Sequence, residues 1–395
     1  MRLVVDCFKL VRGHGKSIGI YSLTQSLLIH LVEEQKKRQD GNEIVVLGNS
    51  YNRKDFDIDG VTFVEIKKDP TKRIVYTLWE LFGVNVAARK NHADRVLFPR
   101  GFRPFVCAIK DTVIIHDMIP FFYDENFHGA INPIENAYIM WRLKASIRRA
   151  NQVVTISKSS YTDIKKYVKL AVGLDNKLRI IHNGINEVKM PENIEKYNYI
   201  VATTTSMPHK NAVGILKAYE VYYTRQKKAH RTPMDLHIIG IDNSFLKKLG
   251  GITNEMKEHI FCHSYVADYT EVCRLVAQAK ISLFLSLAEG FGFPPIEAMQ
   301  LKTPVICSDR TSLPEVVGQA AILVNPDKPI DVAIAIENLE KDENRQRELV
   351  EEGTKNYKRF LWDSRAALYY DLLFEDGRRE LMIQKFLRNR REGRS

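Results

Sequence analysis

The densest chemistry in the chain lies in Ser286-Leu287-Ala288-Glu289-Gly290-Phe291-Gly292-Phe293-Pro294-Pro295-Ile296-Glu297-Ala298-Met299. The apolar run 281–285 before it reads as a buried strand. Pro294-Pro295 then opens a helix, because proline is tolerated in a first helical turn. Gly290 and Gly292 let the backbone pass close to a ligand, and a helix start offers unpaired N–H groups and partial positive charge, which suits phosphate. Glu297, expected in that first turn, can accept hydrogen bonds from a vicinal diol, and Glu289 from a second polyol. Either acid alone would pass for a dipole partner or a solvated side chain. Two of them around one Gly/Pro turn at a strand end point to a ligand site.

Lys210 ends the run Thr203-Thr204-Thr205-Ser206-Met207-Pro208-His209 after a second apolar strand, 199–203. A cation and hydroxyls such as Thr204, beside His209 at a helix start, make a cradle for a diphosphate. A bare lysine there opposes the helix dipole, so an anionic partner explains it better than solvent. His116-Asp117 closes the strand 112–116, with Asp117 orienting His116 or the backbone. Arg100 and Arg103 sit among aromatics in a loop, where an anionic acceptor and plain solvent fit equally well.

These side chains are positioned by a repeating rhythm of short apolar strand, turn and amphipathic helix, which argues a parallel α/β sheet covered by helices. Strands are expected at 2–8, 43–47, 61–66, 95–98, 112–116, 152–156 and 178–182, with helices around 74–91, 133–150 and 158–170. The rhythm pauses in a polar stretch, 189–197, and restarts with strands at 199–203, 236–239, 259–262, 281–285 and 304–307. The expected organisation is therefore a doubly wound domain at 1–188, a linker at 189–197, a second doubly wound domain at 198–370 and a basic helical tail at 371–395. Such sheets bind ligands at the carboxyl ends of their strands, in the cleft between two facing domains.

The chain of 395 residues is 45% hydrophobic and 27% charged, the balance of a globular protein rather than a disordered or fibrous one. No run of 18 apolar residues spans a membrane, and the start, MRLVVDCF, has no signal-peptide pattern. The five cysteines are widely spaced without a CxxC pair and read as small core residues in a reducing compartment. The net charge is +11, and residues 1–190 carry 30 Lys and Arg against 20 Asp and Glu, the rest 29 against 28. A basic first half suits phosphate-bearing substrates, polyanions or an anionic membrane surface. Its basic clusters are too short and scattered to favour nucleic acid.

Glu289 and Glu297, with seven residues between them in EGFGFPPIEAM, resemble the two-glutamate signature of the retaining family 4 glycosyltransferases of the GT-B fold. Thr303-Pro304-Val305-Ile306-Cys307-Ser308, Ser312-Leu313-Pro314-Glu315-Val316 and Met207-Pro208-His209-Lys210-Asn211 are similar to further family motifs, as are Val153–Ser157 and Ile180–Gly184 in the first half. The resemblance implies two Rossmann-like domains facing across a cleft, with C-terminal helices returning to the first. It implies transfer of a sugar from a nucleotide diphosphate sugar to a saccharide or lipid-linked saccharide, with retention and with no metal or other cofactor. Glu289, His116 and Lys210 would be the catalytic set, with His116 against the transferred sugar. Gly15, Gly19, Thr204, His209, Lys210, Gly290, Phe291, Gly292 and Phe293 would hold the donor's diphosphate and sugar. Tyr265 and Val266 would hold the base and Glu297 the ribose. An arginine common near His209 in the family is absent.

The glycines Gly13, Gly15 and Gly19 do not form GxGxxG, which disfavours NAD. Asp55-Phe56-Asp57-Ile58-Asp59 imitates an acidic metal motif but lies in a polar turn and reads as solvated surface. The 11 histidines include no HExxH, so no zinc site is expected. The enzyme is expected in the cytoplasm, peripheral on the inner membrane face. Two other classes compete: a non-catalytic sugar-nucleotide-binding subunit of a glycan assembly complex, and a nucleic-acid binder.

Overall fold

The computed structural model describes residues 1–13, 18–168, 174–188, 194–249, 252–264, 266 and 268–375. Gly15, Tyr265, residues 189–193 of the expected linker and 376–395 of the expected tail lie outside the described residues. The chain divides into two compact units. The first comprises Met1–Phe121, Ile131–Asn186 and Phe360–Ser395, the second Phe122–Ala130 and Glu187–Arg359.

The first unit holds β1 (Arg2–Asp6), β2 (Glu43–Gly48), β3 (Val61–Glu65), β4 (Arg95–Phe98), β5 (Lys110–Ile115), β6 (Gln152–Thr155) and β7 (Leu178–Ile180). They pair in parallel in the order β3-β2-β1-β4-β5-β6-β7. Leu3, Val4 and Val5 are all fully buried, as in a strand covered on both faces. The second unit holds β8 (Tyr197–Thr203), β9 (Asp235–Ile239), β10 (Ile260–His263), β11 (Ala279–Phe284), β12 (Val305–Ser308) and β13 (Ala321–Val324), ordered β10-β9-β8-β11-β12-β13. The helix Ala212–Lys228 lays Ala212, Ile215, Leu216, Tyr219, Tyr222 and Tyr223 into the core beneath this sheet, at helical spacing.

The C-terminal helix Trp362–Tyr370 belongs to the first unit, so the second closes at Arg359 rather than at 370. Packing explains the switch. A Cβ on Gly184 would meet Trp362 at 2.1 Å, His30 stacks on the same indole at 5.4 Å, and Tyr370 donates to Asp40 at 2.9 Å. Strand β13, only four residues long, was not apparent in the sequence pattern. All five cysteines are free, with Cys7, Cys273 and Cys307 buried and Cys107 and Cys262 half-buried.

Candidate functional site

In the second unit the strand order reverses between β8 and β11, so the loops leaving those two strands diverge and open a crevice at their carboxyl ends. Hydrogen bonds lock the two loops together. Asn211 Nδ2 donates to Leu285 O at 3.0 Å, and Leu287 N donates to His209 O at 2.7 Å. Asn211 is left-handed, with φ 56°, and caps the helix Ala212–Lys228 by accepting from Gly214 N. Gly240, at the end of β9, has φ +102°, and a Cβ there would meet Thr204 O at 2.0 Å. Thr204 itself is buried and donates its hydroxyl to Lys210 O at 2.8 Å, closing its own loop.

Within this crevice Lys210 Nζ donates to both carboxylate oxygens of Glu289, at 2.7 and 2.9 Å. The Glu289 side chain is 9% exposed and that of Lys210 26%. His209 is buried beside them, and its Nδ1 shares a 2.7 Å hydrogen bond with the Tyr123 hydroxyl. Burial, with the neighbouring Lys210 charge, pulls the His209 pKa down to about 4, so the ring is neutral near pH 7.

The loop that bears Glu289 is braced from the next strand. Thr311 Oγ1 accepts from Glu289 N at 3.0 Å, and the fully buried Ser312 hydroxyl bridges Glu289 O at 3.0 Å and Phe291 O at 2.8 Å. Gly292 has φ +107°, where a Cβ would lie 2.5 Å from Leu313. Ser286, at the base of the loop, is 1% exposed, and its hydroxyl lacks a protein partner.

The following helix, Phe293–Gln300, begins one residue before the two prolines. Glu297 is therefore its fifth residue, in the second turn rather than the first. Pro294 and Pro295 also remove two of the N–H groups that a helix start otherwise offers an anion, leaving fewer backbone donors than the sequence suggested. Glu297 is half-buried and accepts from the Tyr269 hydroxyl at 3.2 Å. Burial pushes its carboxyl pKa above the usual range, and the Tyr269 bond partly offsets this.

In the first unit His116 directly follows β5 and hydrogen-bonds through Nε2 to Pro99 O at 2.7 Å. A neutral ring donating there keeps Nδ1 as an acceptor, and burial lowers its pKa. Asp117 holds backbone, accepting from Ile119 N at 3.0 Å. Gly19 lies in the first turn of the helix Ile18–Arg38. Arg100 donates to Glu80 at 3.2 Å.

Two readings of the first unit are corrected. Arg103 is 5% exposed, paired to the fully buried Asp111, and its backbone bonds Ser146 and Arg142. It fixes the loop and presents no charge to an acceptor. Asp55 is half-buried and accepts from Tyr21 OH at 2.6 Å, so it is a structural contact and not a solvated acid. Among the described residues no group of three His, Cys, Asp or Glu side chains is placed to hold a metal ion.

Sequence reasoning missed Tyr123, Thr311 and Tyr269, and named Asn211 and Ser312 only within motifs, without their roles. Asn211 carried a signal, as a cap residue directly before a helical pattern. Tyr123 carried none, since 86 residues separate it from His209.

Residues 185–356 match the model of the family "Glycosyl transferases group 1". Over 283 residues the chain is 30% identical to the O-antigen chain mannosyltransferase RfbU of Salmonella typhimurium (strain LT2), covering 69% of this chain and 73% of that protein. The chain belongs to the group 1 glycosyltransferases. This glycosyltransferase is also 24% identical over 271 residues to the serotype-specific mannosyltransferase WbdA of Escherichia coli, which covers 66% of the chain but only 32% of WbdA. Its fold is GT-B, with two Rossmann-like domains. Sucrose-phosphate synthase of Thermosynechococcus elongatus superposes with a TM-score of 0.68 at 16% identity, over 97% of this chain and 100% of that one. Anabaena HepE, solved in complex with UDP, superposes with a TM-score of 0.65 at 16% identity, over 94% and 99%.

Proposed function

We propose that this glycosyltransferase moves a hexose, mannose being the first to test, from a nucleotide diphosphate sugar to a hydroxyl of a saccharide or lipid-linked saccharide in polysaccharide synthesis. The names of the relatives, two of them mannosyltransferases, support the sugar class. The observation that carries the reading is the Lys210–Glu289 pair in the crevice of the second unit. Lys210 supplies a cation for the departing diphosphate, and Glu289 a carboxylate for sugar hydroxyls. Preorganised charge of this kind usually contributes more to catalysis than any other single effect. Glu297, half-buried and already hydrogen-bonded by Tyr269, would take the ribose diol. Val266, in the loop after β10, would lie against the base.

The reaction is proposed to retain anomeric configuration and to need no metal, because Lys210 and the start of the helix Phe293–Gln300 carry the leaving-group charge. The acceptor then enters from the face the leaving group vacates, and no side chain has to act as a strong base. His116, neutral and with Nδ1 as acceptor, would meet a sugar hydroxyl. Among the described residues no helix is long and apolar enough to cross a membrane. The basic first half supports work at the cytoplasmic face of an anionic membrane. A non-catalytic sugar-nucleotide subunit is not favoured by the family match.

Incubation with a panel of nucleotide sugars and lipid-linked acceptors, with and without EDTA, tests each part. The proposal expects release of one nucleoside diphosphate, unchanged by EDTA, and a product anomer that matches the donor by NMR. An inverted anomer removes retention, restoration by divalent cations alone removes metal independence, and no turnover with any donor removes the reading.

A further inference from the structure

Residues 73–90 of the first unit form one unbroken helical run, Arg73–Leu78, Trp79–Gly83 and Val84–Lys90, whose middle section is a π turn. Its inner face is conventional: Trp79, Val84 and Ala88 are buried, and Trp79 packs on Phe8 at 4.6 Å. Its outer face is not. Ile74, Leu78, Phe82 and Val86 are 76, 53, 64 and 53% exposed, four large apolar side chains at steps of four residues. In a regular α-helix each such step overshoots a full turn by about 40°, so three steps would spread the stripe through about 120°. The π turn spends one extra residue, about 100° of rotation, and brings the four side chains back into line.

Cations bound this stripe. Lys72 and Arg73 precede it, Arg89 and Lys90 follow it, and all four are exposed. Glu80 is the one acid in the run, and it is turned inward, 13% exposed and bonded to Arg100. The surface continues sideways. Asn85 Nδ2 donates to Val106 O at 2.7 Å, Val106 is 76% exposed, and neighbouring Phe105 lies 5.1 Å from the ring of Trp141. Trp141 stands with Ile134 and Tyr138 on the exposed face of the helix Pro133–Arg149. Beside them an open groove of about 440 Å³ is lined by Phe105, Trp141, Lys144, Ala145, Arg148 and Arg149.

We infer that this face docks on an anionic lipid bilayer, with the stripe and Trp141 in the headgroup–acyl boundary and the surrounding cations against lipid phosphates. An apolar stripe ended by basic residues with no outward acid is the pattern of an interfacial helix, and tryptophan and tyrosine favour that depth. A contiguous apolar patch of this extent is otherwise rare on a soluble surface. At the ends of the stripe and on the second helix the exposed cations Lys72, Arg73, Arg89, Lys90, Arg148 and Arg149 face one exposed acid, Glu135, a balance that favours an anionic membrane over a protein partner. The inference deepens the reading of a membrane-borne acceptor and rests on it.

Trp141 supplies the test. The chain has three tryptophans, and Trp79 and Trp362 are 6 and 3% exposed, so a blue shift in emission reports Trp141. The full chain is mixed with vesicles of phosphatidylcholine alone or with one third phosphatidylglycerol, and binding is read by sedimentation and by this shift. The expected result is at least tenfold preference for the anionic vesicles, loss of the preference at high salt, and a tenfold or greater loss in the double variant L78S/F82S. An unchanged near-ultraviolet circular dichroism spectrum of the variant, to which buried Trp79 of the same helical run contributes, keeps misfolding of this unit apart. Equal partition into both vesicle types, or unchanged binding by L78S/F82S, overturns the docking face. So does a wild-type dimer that the double variant merely dissociates. A protein that binds nucleotide but no vesicles loses the docking face and keeps its glycosyl transfer.

Discussion

Lys210 commits two of its three ammonium protons to Glu289, one to each carboxylate oxygen. The cation proposed for the diphosphate and the carboxylate proposed for the sugar thus neutralise each other before a donor arrives. Binding has to redistribute that pair: the diphosphate takes over part of Lys210 as sugar hydroxyls take over part of Glu289. The pair keeps a charge from standing alone in a partly desolvated crevice, where an unpaired ion is costly.

Removing one partner should therefore weaken nucleotide binding, and removing the other should not. Lys210→Ala loses a charge-assisted bond of about 1.5–3 kcal/mol, which weakens nucleoside diphosphate binding roughly tenfold to a hundredfold. Glu289→Gln frees Lys210, so the diphosphate binds as tightly as before or more so while sugar transfer falls. Calorimetric titration beside a turnover assay checks both. Equal weakening by the two variants would show that the pair acts only to hold the loop.

His209 makes the second unit sensitive to acid. Its folded pKa, about 4, lies below the ordinary 6.5, so the unfolded chain takes up a proton that the folded one refuses. Stability is full above pH 6.5 and falls as the pH drops towards 4, by on the order of 3 kcal/mol if the whole shift is realised. His209→Asn should flatten the pH dependence of Tm across that window. An unchanged slope would place the acid sensitivity in another group.

Glu297 carries the reverse sign. Its raised carboxyl pKa means the folded protein holds the proton to a higher pH than the unfolded chain, so its contribution is most favourable in acid and is lost as the pH rises through the folded value. Glu297→Gln should raise Tm near pH 7.5, with the gain shrinking below pH 5, and should raise KM for the donor. A gain in Tm with KM untouched would leave Glu297 without a role in binding.

Ser312 holds the Glu289 loop through two buried acceptors, Glu289 O and Phe291 O. Ser312→Ala leaves those carbonyls short of a donor, at a cost of about 1–3 kcal/mol. Both Tm and kcat are expected to fall, whereas Ser312→Thr, which keeps the hydroxyl, should recover part of each. A variant with normal kcat and lowered Tm would separate bracing from catalysis.

The parallel α/β rhythm, the restart after the polar stretch and the glutamate segment were legible because buried parallel strands are continuous apolar runs and helix faces keep their period. What failed was local or distant. Taking the helix to start at the prolines put Glu297 one residue too early, in the first turn, and counted on N–H donors that Pro294 and Pro295 lack. Arg103 looked like a loop cation because its partner, Asp111, lies in β5 eight residues later and sequence does not show that the loop folds back. Tyr123 and Thr311 reach the site from remote segments, and no pattern in one chain reports such contacts. The apolar stripe at 74–86 was hidden because side chains at steps of four residues read as an ordinary buried helix face, and only the structure shows Ile74, Leu78, Phe82 and Val86 exposed.

The most direct test of the central claim is titration of UDP, GDP, ADP, CDP and dTDP into the wild-type protein and into Lys210→Ala. The account predicts that one of them binds at a single site and that the variant weakens it by tenfold or more. Binding of none of the five, or a wild-type affinity retained by Lys210→Ala, would contradict a donor site built around Lys210 and Glu289.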